Sequence, residues 1–250
     1  MTQTASASAA SASTVATTES KSLPTRIVGV LTAPRATYAA VAARPRWMGV
    51  LLFITLFGAV CTFTFLSTEV GKQAMLDQQV RMMESFGVKI PDAAYQRMED
   101  GLDRAPYTGA VGQAVSFSIA GLIVAGIALG VFNAILGGDA TFKQVFAVVA
   151  HSGVVLSVSQ VFGFPLAYAR ETMSGTTNLG VFAPFLDESS FAARVLGSVD
   201  LFILWWAVSL AIGLGVLYKR RTGPIALTLI VLYVTIGVII AAIKTAVAGA

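Results

Sequence analysis

The chain has 250 residues, of which 56% are hydrophobic and 12% are charged, and its mean hydropathy is +0.76. Soluble domains carry about 25% charged residues, so this composition indicates a membrane protein. The net charge of +4 is modest and favours a role in membrane topology over nucleic-acid binding. The single cysteine, Cys61, excludes a disulfide framework and a cysteine-rich metal site.

Residues 1–22 consist mainly of Ala, Ser and Thr. They contain neither the basic start nor the apolar stretch of a secretory signal peptide. A segment of this kind cannot bury enough apolar surface to offset the entropy lost on ordering. It therefore predicts a disordered tail ahead of a membrane domain that covers residues 23–250.

The segment 23–46 is basic and partly amphipathic, which predicts a short helix lying at the membrane surface. Pro34 suits the first turn of such a helix, with Thr32 near its N-cap, and Pro45 should end it. Four arginines stand beside the apolar residues of this segment: Arg26, Arg35, Arg44 and Arg46. The alternative is a basic flank that only fixes the orientation of the first span.

The first predicted span covers residues 47–67, with Trp47 at the interface, where aromatic side chains are favoured. The following connection, residues 68–110, carries both acidic and basic residues. Its pattern predicts one helix from Glu69 to Phe86 and a second that starts at Pro91-Asp92. Together these helices would form a small lobe outside the membrane.

The second predicted span covers residues 111–136 and contains Gly126 and Gly130 at the GxxxG spacing. Small residues at this spacing let helices approach closely in lipid, so both glycines are candidates for helix packing. Asn133 lies near the end of the span. We expect its side chain to bond a neighbouring helix rather than a ligand.

Thr141 and Gln144 have the spacing of a capping box, which predicts the start of a third span over residues 142–168. Gly163 and Pro165 should bend or end that helix. His151 is the only histidine in the chain. A proton relay or metal site needs further ionisable groups at this depth, so a hydrogen-bonded packing role is favoured for His151.

The fourth predicted span, residues 201–218, follows a second polar connection and starts after Asp200, whose position suits a helix cap. A stripe of small residues spaced by four gives a second packing surface on this span: Ala207, Ala211 and Gly215. Lys219-Arg220-Arg221 follows it, and the turn Thr222-Gly223-Pro224 leads into a fifth span over residues 225–243.

The distribution of charge predicts a cytoplasmic N-terminus and an external C-terminus. With that orientation the inner segments hold 9 Lys and Arg against 2 acids, and the outer segments hold 8 against 11. The inner basic residues directly flank spans, where the positive-inside rule has force.

Three motifs in chain order resemble one family. The first is Leu31-Thr-Ala-Pro-Arg-Ala-Thr-Tyr with Pro45-Arg-Trp47, and the second runs from Gly138 to His151. The third is Asp200-Leu-Phe-Ile-Leu-Trp205. Over residues 25–245 the chain resembles the Yip family, the Ypt/Rab-interacting integral membrane proteins. The matched positions are Pro34, Trp47, Asp139, Asp200 and Trp205.

The resemblance implies five spans with the topology that the charges also predict. It implies a Rab-type GTPase partner and ER–Golgi traffic for a eukaryotic member. The simple Ala, Ser and Thr composition of the N-terminal tail favours a prokaryotic member, located in the bacterial cytoplasmic membrane.

No catalytic motif is present in the sequence, and no carboxylate lies within a span. We therefore expect a non-enzymatic, all-α membrane protein without cofactor or metal, acting as a scaffold or adaptor in membrane organisation and trafficking. Its expected partners are the lipid bilayer and a membrane protein or a second copy of the chain. The alternative is a small transporter or channel subunit with a polar path built from Asn133, Gln144, His151 and Ser209.

Overall fold

The computed structural model describes residues 22–187 and 190–248, which fold almost entirely into helices. The predicted disordered tail lies outside the described residues, except for Ser22. Eleven α-helices occur in the described ranges: α1 Leu23–Thr32, α2 Pro34–Ala43, α3 Met48–Leu66, α4 Glu69–Ser85, α5 Asp92–Asp100, α6 Ala105–Leu129, α7 Phe142–Ser152, α8 Val154–Ala169, α9 Phe191–Ser198, α10 Leu201–Leu217 and α11 Thr222–Ala248.

Four helical stretches in the described ranges are long and apolar enough to cross a membrane: Met48–Leu66, Asp92–Ile135, Phe142–Ala169 and Thr222–Val247. Leu201–Leu217 is a shorter apolar helix of 17 residues, about 26 Å at the usual helical rise. The prediction of an all-helical, polytopic membrane protein is confirmed. That α10 crosses the membrane as a fifth span stays a prediction.

The N-terminal region contains two short helices where the sequence suggested one. Helix α1 ends at Thr32, and α2 starts at Pro34 after Ala33, whose φ of −142° is not helical. Proline disfavours helical geometry in the residue before it, which explains the break. Both helices contact α7, and Tyr38 and Val41 of α2 are fully buried in the bundle.

The third apolar stretch breaks at Gly153 and not at Gly163 or Pro165, because α8 continues through both residues to Ala169. A Cβ at position 153 would lie 2.8 Å from Phe117 Cζ and 3.0 Å from Ile54 Cδ1. Gly153 therefore allows α3 and α6 to approach the chain where it turns from α7 into α8.

The core of the molecule is organised around α7. All eight residues from Val145 to Ser152 are buried, and α7 contacts α1, α2, α3, α6, α8 and α10. The predicted capping box at its start is present, because Thr141 and Gln144 bond each other's backbone N–H groups. Helix α7 is thus enclosed by the helices that pack around it.

The connection after α3 forms the two predicted helices, α4 and α5. Lys72 of α4 lies 3.0 Å from a Glu69 carboxylate oxygen and 3.5 Å from one of Asp103, and these contacts raise the pKa of the lysine. Ala74 and Leu76 are buried, whereas α5 buries no residue. The position of this lobe outside the membrane stays a prediction.

Helix α10 also packs closely at Gly213, which lies between Ala211 and Gly215 and outside the predicted stripe of small residues. Gly213 faces α2 and α7, and a Cβ there would collide with Val148 Cγ1 and lie 3.0 Å from the Tyr38 ring.

We expect Gly213→Leu to lower the free energy of unfolding in detergent by about 1–3 kcal/mol, the usual cost of overpacking. Gly223→Leu is the control, since a Cβ there has no atom within 4 Å in the part of the chain that the structure describes. Equal stability of the two variants would contradict this packing.

Candidate functional site in the bundle interior

An arginine and a histidine meet at the junction of α1 and α7. Arg26 Nη1 lies 3.4 Å from His151 Nε2 and donates to the Arg46 carbonyl at 2.7 Å. His151 Nδ1 lies 2.7 Å from the Ala147 carbonyl, which can only accept, so Nδ1 carries the hydrogen. Nε2 is then free to accept from Arg26. The histidine joins α7 to α1.

Burial and the neighbouring Arg46 lower the pKa of the Arg26 guanidinium. An arginine remains protonated at any physiological pH in spite of such a shift. Arg26 therefore places a permanent positive charge against the buried end of α7. The carbonyl of Arg46 provides it with a strong acceptor.

Two further hydrogen bonds join the N-terminal helices and α7 to α10. The Tyr38 hydroxyl lies 2.7 Å from the Ser209 hydroxyl, and both residues are buried. Trp206 Nε1 donates to the Ser152 hydroxyl at 3.0 Å. Together with the Arg26–His151 contact they form what we call the interior polar cluster: Arg26, Tyr38, His151, Ser152, Trp206 and Ser209.

Gln144 bonds near the start of α7, away from His151. Its side-chain oxygen accepts from Thr141, and its Nε2 donates to the Ala42 carbonyl of α2 at 3.2 Å. It therefore ties α7 to α2 as well as capping α7.

Asn133 lies in a third place, within the π-helical segment Gly130–Ile135 that follows α6. It donates to the Ala140 carbonyl at 2.8 Å and accepts from the Tyr218 hydroxyl at 2.8 Å. The four polar residues suggested as a transport path thus have separate bonding partners. His151 and Ser209 belong to the interior polar cluster, while Asn133 and Gln144 bond elsewhere.

Four buried side-chain atoms in the described ranges have no hydrogen-bond partner: Arg26 Nε, Thr37 Oγ1, Thr55 Oγ1 and Gln160 Oε1. Arg26 Nε belongs to the interior polar cluster itself, and Thr37 adjoins the cluster because it neighbours Tyr38 and faces Gly29 of α1. Thr55 and Gln160 lie on α3 and α8, where Gln160 packs on Gly58. Unpaired buried polar atoms are costly and call for an explanation.

The small residues proposed for packing fall into two groups. Ala207, Ala211 and Gly215 are buried inside the bundle. Gly126 and Gly130 are exposed, and a Cβ at either position would meet no atom of the described residues within 4 Å. Within one chain, therefore, the α10 stripe packs against other helices and the α6 glycines leave an open surface.

Asp200 caps α10 and joins it to two other segments. Its carboxylate accepts from the backbone N–H groups of Phe202 and Ile203 at 2.8 and 3.1 Å, and from the Thr177 hydroxyl. Its own N–H donates to the Tyr233 hydroxyl of α11 at 2.9 Å. Asp200 therefore connects α10 to α11 and to the preceding loop through hydrogen bonds.

The other motif positions are spread over the molecule. Pro34 starts α2, and the Trp47 ring packs edge-on against Phe146 with the ring centres 5.1 Å apart. Asp139 is exposed in the turn before α7, and Trp205 is 40% exposed on α10. Pro34 and Trp47 thus contribute to a helix start and a ring contact, and the four positions do not converge on one site.

The Yip1 domain family matches residues 28–243, which is most of the chain. The chain belongs to the Yip1 domain family. No curated protein and no solved structure matches the sequence. In this Yip1 domain the interior polar cluster lies inside the matched range except for Arg26, which precedes it by two residues.

Sequence reasoning identified His151 and Ser209 but missed their partners, Arg26 and Tyr38. Both were assigned to a surface helix, where an arginine and a tyrosine would remain at the interface. One signal was available: Tyr38 and Val41 are spaced by three, as on one helix face. Among the described residues, no group of three or more His, Cys, Asp or Glu side chains is placed to hold a metal ion.

The Tyr38–Ser209 bond can be measured by a double-mutant cycle with Tyr38→Phe and Ser209→Ala. Hydrogen bonds between membrane helices average about 0.6 kcal/mol and reach about 1.7, so we expect a coupling energy in that range in detergent. Tyr95→Phe, on exposed α5, is the control and should show no coupling with Ser209→Ala. Additive effects of the two interior substitutions would contradict the bond.

Proposed function

We propose that this Yip1 domain protein is a non-enzymatic membrane scaffold or adaptor. The supporting observation is that the side chains of the interior polar cluster bond to one another between helices and so hold α1, α2, α7 and α10 together. Such bonds fix one arrangement of helices and, with it, one arrangement of surfaces. A fixed surface is what a scaffold or adaptor presents to its partners.

The orientation that we propose has the N-terminus in the cytoplasm and the C-terminus outside, in a bacterial cytoplasmic membrane. Arg35 and Arg46 are exposed on or beside α2, and Lys219, Arg220 and Arg221 are exposed after α10. Both groups would flank spans on the cytoplasmic side, in accord with the positive-inside rule.

Labelling of a Lys89→Cys variant from outside intact cells tests this orientation, because residue 89 would then lie outside the membrane. Labelling that occurs only after lysis would show the opposite topology.

The partner that we propose is a membrane protein or a second copy of the chain, bound in the bilayer. Gly126 of α6 and Gly130, which directly follows α6, are exposed beside Ile123 and Ile127, which are 56% and 62% exposed. Small residues on a lipid-facing helix permit close approach of another helix. A Rab-type GTPase is proposed as a partner only for a eukaryotic source.

Association through α6 can be tested by crosslinking in native membranes. We expect Gly126→Leu to reduce the captured partner or homo-oligomer several-fold, because the added side chain holds the partner helix away. Gly112→Leu is the matched control, because Gly112 is also an exposed α6 glycine, and a Cβ there would have no described atom within 4 Å. Crosslinking that Gly126→Leu leaves unchanged would rule out this surface.

The competing function is a small transporter or channel subunit. It is favoured by the four unpartnered buried polar atoms, because a solvated path would hydrate such groups. The scaffold proposal predicts that the protein in proteoliposomes passes no ion or small solute above the rate of empty vesicles. Flux that His151→Ala abolishes would establish the transporter instead.

A further inference from the structure

An open groove of about 760 Å³ runs along the bundle surface between α6 and α11, with α10 at its base. Its apolar lining includes Ile127, Val131, Leu210, Leu232 and Ile236. Ile127 and Leu232, on opposite walls, remain 62% and 56% exposed. In a membrane such a groove is covered by apolar groups from lipid or from another helix.

Among the described residues, two that line the groove are charged, and both are arginines: Arg220 and Arg221, in the turn between α10 and α11. Arg220 Nη2 donates to the Leu136 carbonyl at 2.7 Å, which holds this side chain across to the end of the α6 wall. The other guanidinium N–H groups of Arg220 remain available, since arginine has five donors. The groove therefore has a cationic end and an apolar length.

The backbone of the turn places both arginines at that end. Lys219 adopts a left-handed conformation with φ of 53°, and the Arg220 N–H closes the end of α10 by donating to the Gly215 carbonyl at 2.8 Å. Helix α11 begins at Thr222, directly after Arg221. The positive end of its dipole thus lies beside the arginines and also favours an anion there.

The length of the groove matches one leaflet of a bilayer. From Pro224 to Ile236 its α11 wall spans twelve helical steps, about 18 Å. Half of a hydrocarbon core of roughly 30 Å is about 15 Å. An acyl chain whose headgroup lies at the arginines would therefore reach along the whole groove.

We propose that this groove is a binding site for one anionic phospholipid, with its phosphate at Arg220 and Arg221 and its acyl chains between α6 and α11. The charge at one end favours an anionic lipid over the helix of a second copy. A zwitterionic lipid would gain less at that end, because its own cation offsets its phosphate. This proposal does not depend on the scaffold role or on the orientation of the chain.

Trp206 lines the groove and can report the lipid that occupies it. In a Trp47→Phe, Trp205→Phe background Trp206 is the only tryptophan of the chain. The full-length protein is reconstituted in phosphatidylcholine with a small share of lipid brominated on its acyl chains, either phosphatidylglycerol or phosphatidylcholine. We expect brominated phosphatidylglycerol to quench Trp206 at about thirtyfold lower content than brominated phosphatidylcholine, because two basic residues attract its anionic headgroup.

Arg220→Gln with Arg221→Gln should abolish that preference. The matched control is Lys143→Gln with Arg35→Gln, which removes two exposed positive charges without altering the groove lining or the turn that carries the arginines. It should retain the preference. Arg221→Gln alone keeps the Arg220–Leu136 bond and should weaken the preference, so a loss of fold in the double variant would not hide the result.

Equal quenching by the two brominated lipids overturns the proposal. So does a preference for phosphatidylglycerol that both double variants lose to the same extent, because this would reflect general surface charge. Quenching of Trp206 by neither lipid, with crosslinking of two chains through the groove, would assign the groove to a second copy instead.

Discussion

The structure depends on the burial of α7. A polar side chain that faces the enclosing helices of a membrane protein has no access to water, so it must bond to a neighbouring helix. His151, Ser152 and Gln144 do so, toward α1, α10 and α2. The requirement explains why α1 and α2, which are too short to span, pack into the bundle instead of lying on its surface.

Much of the architecture could be predicted from the sequence because it follows local rules. The apolar runs correspond to helices, the Thr141–Gln144 capping box starts α7, and Asp200 caps α10. These features depend on residues a few positions apart. Helix starts need only a side chain that can bond the first free N–H groups.

The rest depends on contacts between distant residues. Pro165 is tolerated inside α8, whereas the break between α7 and α8 falls at Gly153, where side chains of α3 and α6 approach the backbone. Tyr38 is buried because Ser209, far along the chain, offers a partner. Gly126 and Gly130 have the spacing of a packing motif but face outward. The candidate site therefore could be predicted only in part, through His151 and Ser209.

The claim that the N-terminal helices are built into the bundle can be measured directly by hydrogen exchange of the full-length protein, in nanodiscs and in detergent. Helix α2 should exchange as slowly as α10 in both media, and far more slowly than α5, which buries no residue. Exchange of α2 as fast as that of α5 in detergent, with α7 and α10 still protected, would show that it only rests on the membrane surface and would contradict the account.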